Sequence, residues 1–452
     1  MLRGLALTLL TVSAFLVRWW ALSGPEPLGT DGYYYVVQIE DWVALGRLHV
    51  PDASWTLRAL ALPHVLGLDP VTSLALMASV LAALVVPAAA WVHPRAWPAA
   101  AWLAASPTLT HLAGDFPKSM GLAAPLLVLI GALRRVDDRR MWALVILSAG
   151  LAATAHRVGA ALVVAVVVGF AMSRLDRRGW IALATATTAA MGFVGVAAVT
   201  PGWLHPDDLH RLDGQLRAIP WPPGPMAWPR PLPWLERAEL FAPVVALAAL
   251  PRIARVDREM AAMTMAAMIP GLFPFWRVDV LDMGYRLALW GPLLAWPALA
   301  LTLPERPLPW GLLLPLSTLG FDPALSPPYA AWREVLAGLP DSKPDLLIAP
   351  QGMNFLYDHL TGREAMAWAP EPEIDRQRVG RIAWGIRPGE WAAVAQPHHP
   401  PVVALAYGYA YVREDLWEAL LVEAQTDADL RDRVTDPRNP TLTRPASLRR
   451  GR

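Results

Sequence analysis

LALTLLTVSAFLVRWWALSGPEPLGTDGYYY, residues 5–35, is the stretch whose reading decides the fold. Leu5–Leu22 is apolar and long enough to cross a bilayer; Arg3 holds its start, and Arg18-Trp19-Trp20 suits the other interface. The chain then turns polar and aromatic at Thr30-Asp31-Gly32-Tyr33-Tyr34-Tyr35, where a helix leaving a membrane meets water. Asp31 has no evident structural task in so apolar a chain, which makes it a candidate catalytic carboxylate. The competing reading is an Asp31-Gly32 turn with interfacial tyrosines.

Composition supports the membrane reading. Of 452 residues, 55% are hydrophobic and only 17% charged, outside the usual soluble range. The 22 tryptophans suit interfacial belts and the 45 prolines suit helix ends, kinks and loops. The net charge of +1 carries little information, because 39 bases and 38 acids nearly cancel; no DNA-binding motif or broad basic platform appears, so no nucleic-acid partner is expected. With no cysteine there is no disulfide, thiolate nucleophile or thiolate metal site. Ala21-Leu22-Ser23 imitates a signal cleavage site, but the apolar spans that follow favour a retained first helix.

Downstream, Val36–Leu45 has an amphipathic helical pattern with Val36, Ile39, Val43 and Ala44 on one side, and Arg58–Leu68 suits an interfacial or re-entrant piece. Spans are expected at Val71–Val92, Trp97–Leu112, Gly121–Leu133, Met141–Ala155, Ala160–Met172, Ile181–Thr200, Leu240–Leu250, Met260–Phe275, Leu287–Leu303 and Leu308–Leu319, about eleven with the first. Placing the N-terminus in the cytoplasm puts Arg95, the arginines at 134–140, 174–178 and 252–258, and Arg306 inside. Loops 23–70, 113–120, 201–239 and 276–285 then lie outside, as does the tail after 320. Residues 1–320 thus form a transmembrane domain of an integral plasma (inner) membrane protein. Residues 321–452 alternate strand-like and helical runs, including Asp345–Ala349, Met353–Leu360 and Trp391–Ala395, and predict a small extracytoplasmic α/β domain with a flexible basic end.

This topology sets Asp31, Asp115, Lys118, His156, Arg157, Asp279, Asp282 and Arg286 near one outer boundary. Ionisable groups at that depth are costly unless wet or paired, so the set suggests a polar cavity, with Tyr33 and Tyr34 as further lining. Asp31 suits a general base, Asp115 an assistant or cation ligand, and Lys118, Arg157 and Arg286 a phosphate site. The plainer readings are an Asp115–Lys118 local pair, a capping His156, and Asp279 and Asp282 paired with Arg277 and Arg286. A divalent cation on Asp115 and Asp279 is the metal alternative.

The first helix followed by the acidic loop at Asp31-Gly32-Tyr33-Tyr34-Tyr35, the Gly114-Asp115-Phe116-Pro117-Lys118 segment and the soluble tail resemble the GT-C superfamily of polytopic membrane glycosyltransferases. The resemblance implies a sugar donor carried on a polyprenyl phosphate or pyrophosphate, an extracytoplasmic acceptor, and an Asp31 that activates the acceptor or contributes to the donor site. The segment after the third span has Asp115 without the acidic pair of the family pattern. A membrane transporter and a non-enzymatic envelope assembly protein are the alternatives; the first calls for a central polar path and paired repeats, which the sequence does not show.

Overall fold

The computed structural model describes residues 2–29, 31–50, 52–185, 188, 195, 238–268, 289–303, 327, 329–330, 332–333, 346–348, 352–362, 365–366, 379–387, 390–394, 410–411 and 442–443. Two units divide the chain: Met1–Pro25 with Gln38–Asp322, and Glu26–Val37 with Pro323–Arg452.

The first unit is helical. Its described elements are α1 (Leu2–Leu22), α2 (Gly32–Leu45, which begins in the second unit), α3 (Trp55–Val65), α4 (Pro70–Val92), α5 (Trp97–Ala104), α6 (Pro107–Asp115), α7 (Pro117–Leu133), α8 (Met141–Ala155), α9 (Arg157–Arg174), α10 (Ala242–Ala248), α11 (Leu250–Val256), α12 (Arg258–Met268) and α13 (Trp290–Ala300). Helix α4 is central, packing against α1, α3, α5 and α7, while α7 also packs on α8 and α9 on α12. Among the described residues two helices are long and apolar enough to cross a membrane, Arg3–Leu22 and Pro70–Val92; Pro117–Leu133, Met141–Ala155 and Gly159–Arg174 are shorter apolar helices. On α1, Leu5, Leu9, Val12, Leu16 and Trp20 form an exposed apolar stripe, the face expected to meet lipid, while Ala14, Arg18 and Leu22 turn inward.

Local chemistry sets the helix starts. Asp69 accepts the Thr72 amide at 2.9 Å and Pro70 opens α4, a proline position that sacrifices no helical donor. Ser106 likewise accepts the Leu109 amide at 3.0 Å ahead of Pro107. Pro107 also drives Ser106 to an extended ψ of 118°, so the expected span Trp97–Leu112 is two helices. The expected outer loop 113–120 is largely helical, because α6 runs to Asp115 and α7 starts at Pro117 with Phe116 as the joint. In α2, Val36 and Ile39 are buried as its pattern requires, but Val43 and Ala44 are exposed.

Arginines that the sequence groups on one side also meet in space. Arg134 donates to Val92 O at 2.7 Å and to Asp257 Oδ2 at 2.6 Å, and Asp257 caps α12 by accepting the Met260 amide at 2.8 Å. Arg135 donates to Trp91 O at 2.8 Å, so cations neutralise the exposed carbonyls at the end of α4. Arg174 pairs with Glu259 at 2.9 Å and with Asp137 at 3.4 Å. His93, just past α4, stands 3.8 Å from Asp257, yet burial and the charge of Arg134 push its pKa down from 6.5 to about 4. Its folded pKa is depressed, so the associated stability is present above pH 6.5 and is lost as pH falls towards 4. Melting temperature should therefore fall across that window in the wild type and fall less in His93→Gln; equal slopes would contradict the assignment.

In the second unit β1 (Leu346–Ile348) runs parallel to β2 (Ala365–Met366) and β3 (Val379–Arg387), and β3 is antiparallel to β4 (Glu390–Val394). Helix α14 (Met353–Thr361) links β1 to β2, and β5 (Ala410–Tyr411) pairs with β6 (Leu442–Thr443). The expected runs Ile181–Thr200, for the most part, and Leu308–Leu319, entirely, lie outside the described residues.

Candidate functional site

One buried charge pair in the first unit is not announced by the sequence. Asp52 precedes α3 and accepts the Ser54 amide on Oδ1 at 2.7 Å; its Oδ2 pairs with the Lys118 ammonium in the first turn of α7. Both side chains are buried. Ser54 caps α3 and donates through Oγ to Ala155 O at 2.5 Å, while Trp55 Nε1 donates to Leu151 O at 2.8 Å. These bonds tie the start of α3 to the end of α8. Close approach of α3 and α7 requires Gly121, since a Cβ there would stand 2.0 Å from Thr56 Oγ1. Arg58 donates to Ser54 O at 3.1 Å and lies 4.9 Å above the Trp42 ring.

Asp115 ends α6 and sits 3.0 Å from His111 one turn earlier, both buried. Asp115 is thus paired with His111, and Lys118 with Asp52. Between Asp115 and Lys118 the Phe116 joint, with φ of −132° and ψ of 54°, interrupts the helix. His156 is the extended residue between α8 and α9, and its carbonyl accepts the Gly159 amide at 2.8 Å. Arg157 opens α9 directly after it. Asp279, Asp282 and Arg286 lie outside the described residues. Among the described residues no group of three or more His, Asp or Glu side chains is arranged to hold a metal ion.

A second set of charges secures α6. Arg18, expected near an interface beside Trp19-Trp20, is fully buried. Its guanidinium donates to Leu103 O at 2.9 Å and Ser106 O at 3.3 Å, at the α5–α6 break. Glu239 answers from the other side, accepting the Thr108 amide at 3.0 Å and Trp296 Nε1 at 3.0 Å. Trp296 stacks on Trp102 with ring centres 4.7 Å apart. Cation on carbonyls and anion on amide each match the end of the helix they address.

Asp31, in the second unit, directly precedes α2, and its carbonyl accepts the Tyr35 amide at 3.2 Å. Tyr33 is fully buried, with ring centres 4.9 Å from Tyr329 and 5.1 Å from His359. Burial and its hydrogen bond to Glu26 raise the pKa of its phenol well above the ordinary tyrosine value. Tyr34 packs edge-on against Phe355 at 5.2 Å. Both tyrosines therefore make side-chain contacts within their own unit.

No family model and no curated protein sequence matches the chain. Solved structures do. The fold is similar to that of ArnT. The apo crystal structure of ArnT from Cupriavidus metallidurans matches at TM-score 0.54 and 15% identity, over 84% of this chain and 89% of that one. The structure of the same protein bound to undecaprenyl phosphate matches at TM-score 0.54 and 15% identity, over 82% and 88%. At that identity the likeness is one of fold.

Within this ArnT-like fold, sequence reasoning missed Asp52, His111, Glu239 and the inward turn of Arg18. Only Arg18 carried a usable signal: an arginine inside an apolar helix is costly enough to demand a partner. Asp52 and Lys118 are 66 residues apart and no periodicity links them.

Proposed function

We propose that the protein transfers a sugar from a polyprenyl-phosphate-linked donor to an extracytoplasmic acceptor. The observation that carries this reading is the fold shared with ArnT across most of both chains, together with an ArnT structure that holds undecaprenyl phosphate. Buried ionisable pairs at Asp52–Lys118 and His111–Asp115 add support, because such groups in a membrane protein mark functional paths more often than structural ones.

In this proposal the acceptor hydroxyl gives its proton to Asp31 as its oxygen bonds to the anomeric carbon. The bond from that carbon to the phosphate oxygen breaks, and the electron pair leaves with the polyprenyl phosphate. Lys118, Arg157 and Arg286 neutralise the leaving phosphate, Lys118 from within its pair with Asp52. Asp115 assists or takes a divalent cation. The N-terminus is cytoplasmic, and residues 321–452 form a soluble α/β domain that binds or covers the acceptor.

Purified protein supplied with a panel of labelled undecaprenyl-phosphate-linked sugars and a cell-envelope extract should release undecaprenyl phosphate and move label to a new covalent product. Movement of an unaltered substrate across a proteoliposome membrane, with no covalent product, would replace this reading with transport.

A further inference from the structure

The loop that presents Asp31 is held by residues about three hundred positions away in sequence. Within the second unit, Tyr329 donates its hydroxyl to Gly29 O at 2.6 Å. Gly29 has φ of 77°, a left-handed conformation that glycine adopts without strain, and the same carbonyl accepts the Gly32 amide at 3.1 Å. At the other end of the loop, Arg333 holds Glu26 with Nη2 at 3.1 Å from each carboxylate oxygen and Nε at 3.3 Å from Oε1. Nη2 of Arg333 also donates to Tyr33 Oη at 2.6 Å, and Tyr33 donates in turn to Glu26 Oε2. The ring of bonds is closed: the guanidinium donates to the phenol and to the carboxylate, and the phenol donates to the carboxylate. Tyr329 and Trp332 are buried and their rings meet edge-on at 5.6 Å, which fixes the backbone that carries the latch.

We propose that Tyr329 and Arg333 are positioning residues for Asp31, latching the loop Glu26–Asp31 at Gly29 and Glu26. Asp31 lies two residues beyond one anchor, Gly29, and two residues before another, Tyr33. A general base acts only within hydrogen-bond reach of its proton, so a loop free to shift by an ångström loses most of its effect. The segment after the last expected span thereby becomes part of the catalytic apparatus without touching the reacting atoms. This inference rests on the proposed role of Asp31.

Two readouts test it. The chain has no cysteine, so a nitroxide on Leu28→Cys reports the loop uniquely. Its spectrum should be that of an ordered site in the otherwise wild-type protein and should narrow in Arg333→Met and in Tyr329→Phe/Arg333→Met. In the undecaprenyl phosphate release assay, Arg333→Met should lower kcat by roughly a hundredfold while KM moves by less than about threefold. Arg333→Lys keeps the charge but not the two-pronged geometry and should recover part of the loss. In an Asp31→Asn background Arg333→Met should cost nothing more. An unchanged spectrum and kcat in Arg333→Met, with Asp31→Asn inactive, overturns the latch alone. Wild-type turnover by Asp31→Asn removes the functional reading, and the positioning role with it.

Discussion

Asp52→Asn is expected to be among the most destabilising single substitutions in the first unit, costing about 3–5 kcal/mol, the usual range when one partner of a buried ion pair is removed. The change leaves the Lys118 ammonium buried in the first turn of α7, where the positive end of the helix opposes it. Lys118→Met should cost less. It leaves Asp52 with the Ser54 amide still donating at 2.7 Å and with the favourable end of α7 beside it. The double variant Asp52→Asn/Lys118→Met should be more stable than the sum of the two losses predicts, since both single losses draw on the same ion pair. Unfolding free energies of the three proteins check all of this. Additive losses, or a larger loss for Lys118→Met, would show that the pair is not coupled as the geometry requires.

What the sequence discloses and what it hides follow physical lines. Helices α1 and α4 are legible because length and apolarity suffice to define them, and prolines 70, 107 and 117 mark helix starts because proline's missing donor is harmless there. The α2 helix is legible from its pattern, although Val43 and Ala44 do not share the buried face. Side-chain pairing across the fold is a different matter. Arg18 meets carbonyls 85 and 88 residues away, Glu239 meets an amide 131 residues away, and Arg333 meets Glu26 across 307. Nothing local encodes those meetings. Asp115 and Lys118 are close in sequence, yet His111 meets the first from one turn earlier and Asp52 meets the second from 66 residues away. Asp31 and its tyrosines stood out by composition, but the hold on that loop by Tyr329 and Arg333 became visible only in three dimensions.

Asp31→Asn is the second large effect and the more direct test of function. The amide keeps the shape of the carboxylate but cannot take the acceptor proton, so turnover should fall by about 10²–10⁴-fold, the ordinary contribution of a positioned general base. The loss should fall on kcat, with the thermal unfolding midpoint and the binding of undecaprenyl phosphate retained. The decisive measurement is the rate of undecaprenyl phosphate release from the labelled donor panel by wild-type and Asp31→Asn protein, side by side in the presence of envelope extract. Release by the wild type with at least a hundredfold less by a folded Asp31→Asn protein is the predicted result. Equal release by the two proteins would contradict the assignment of Asp31 as the group that activates the acceptor.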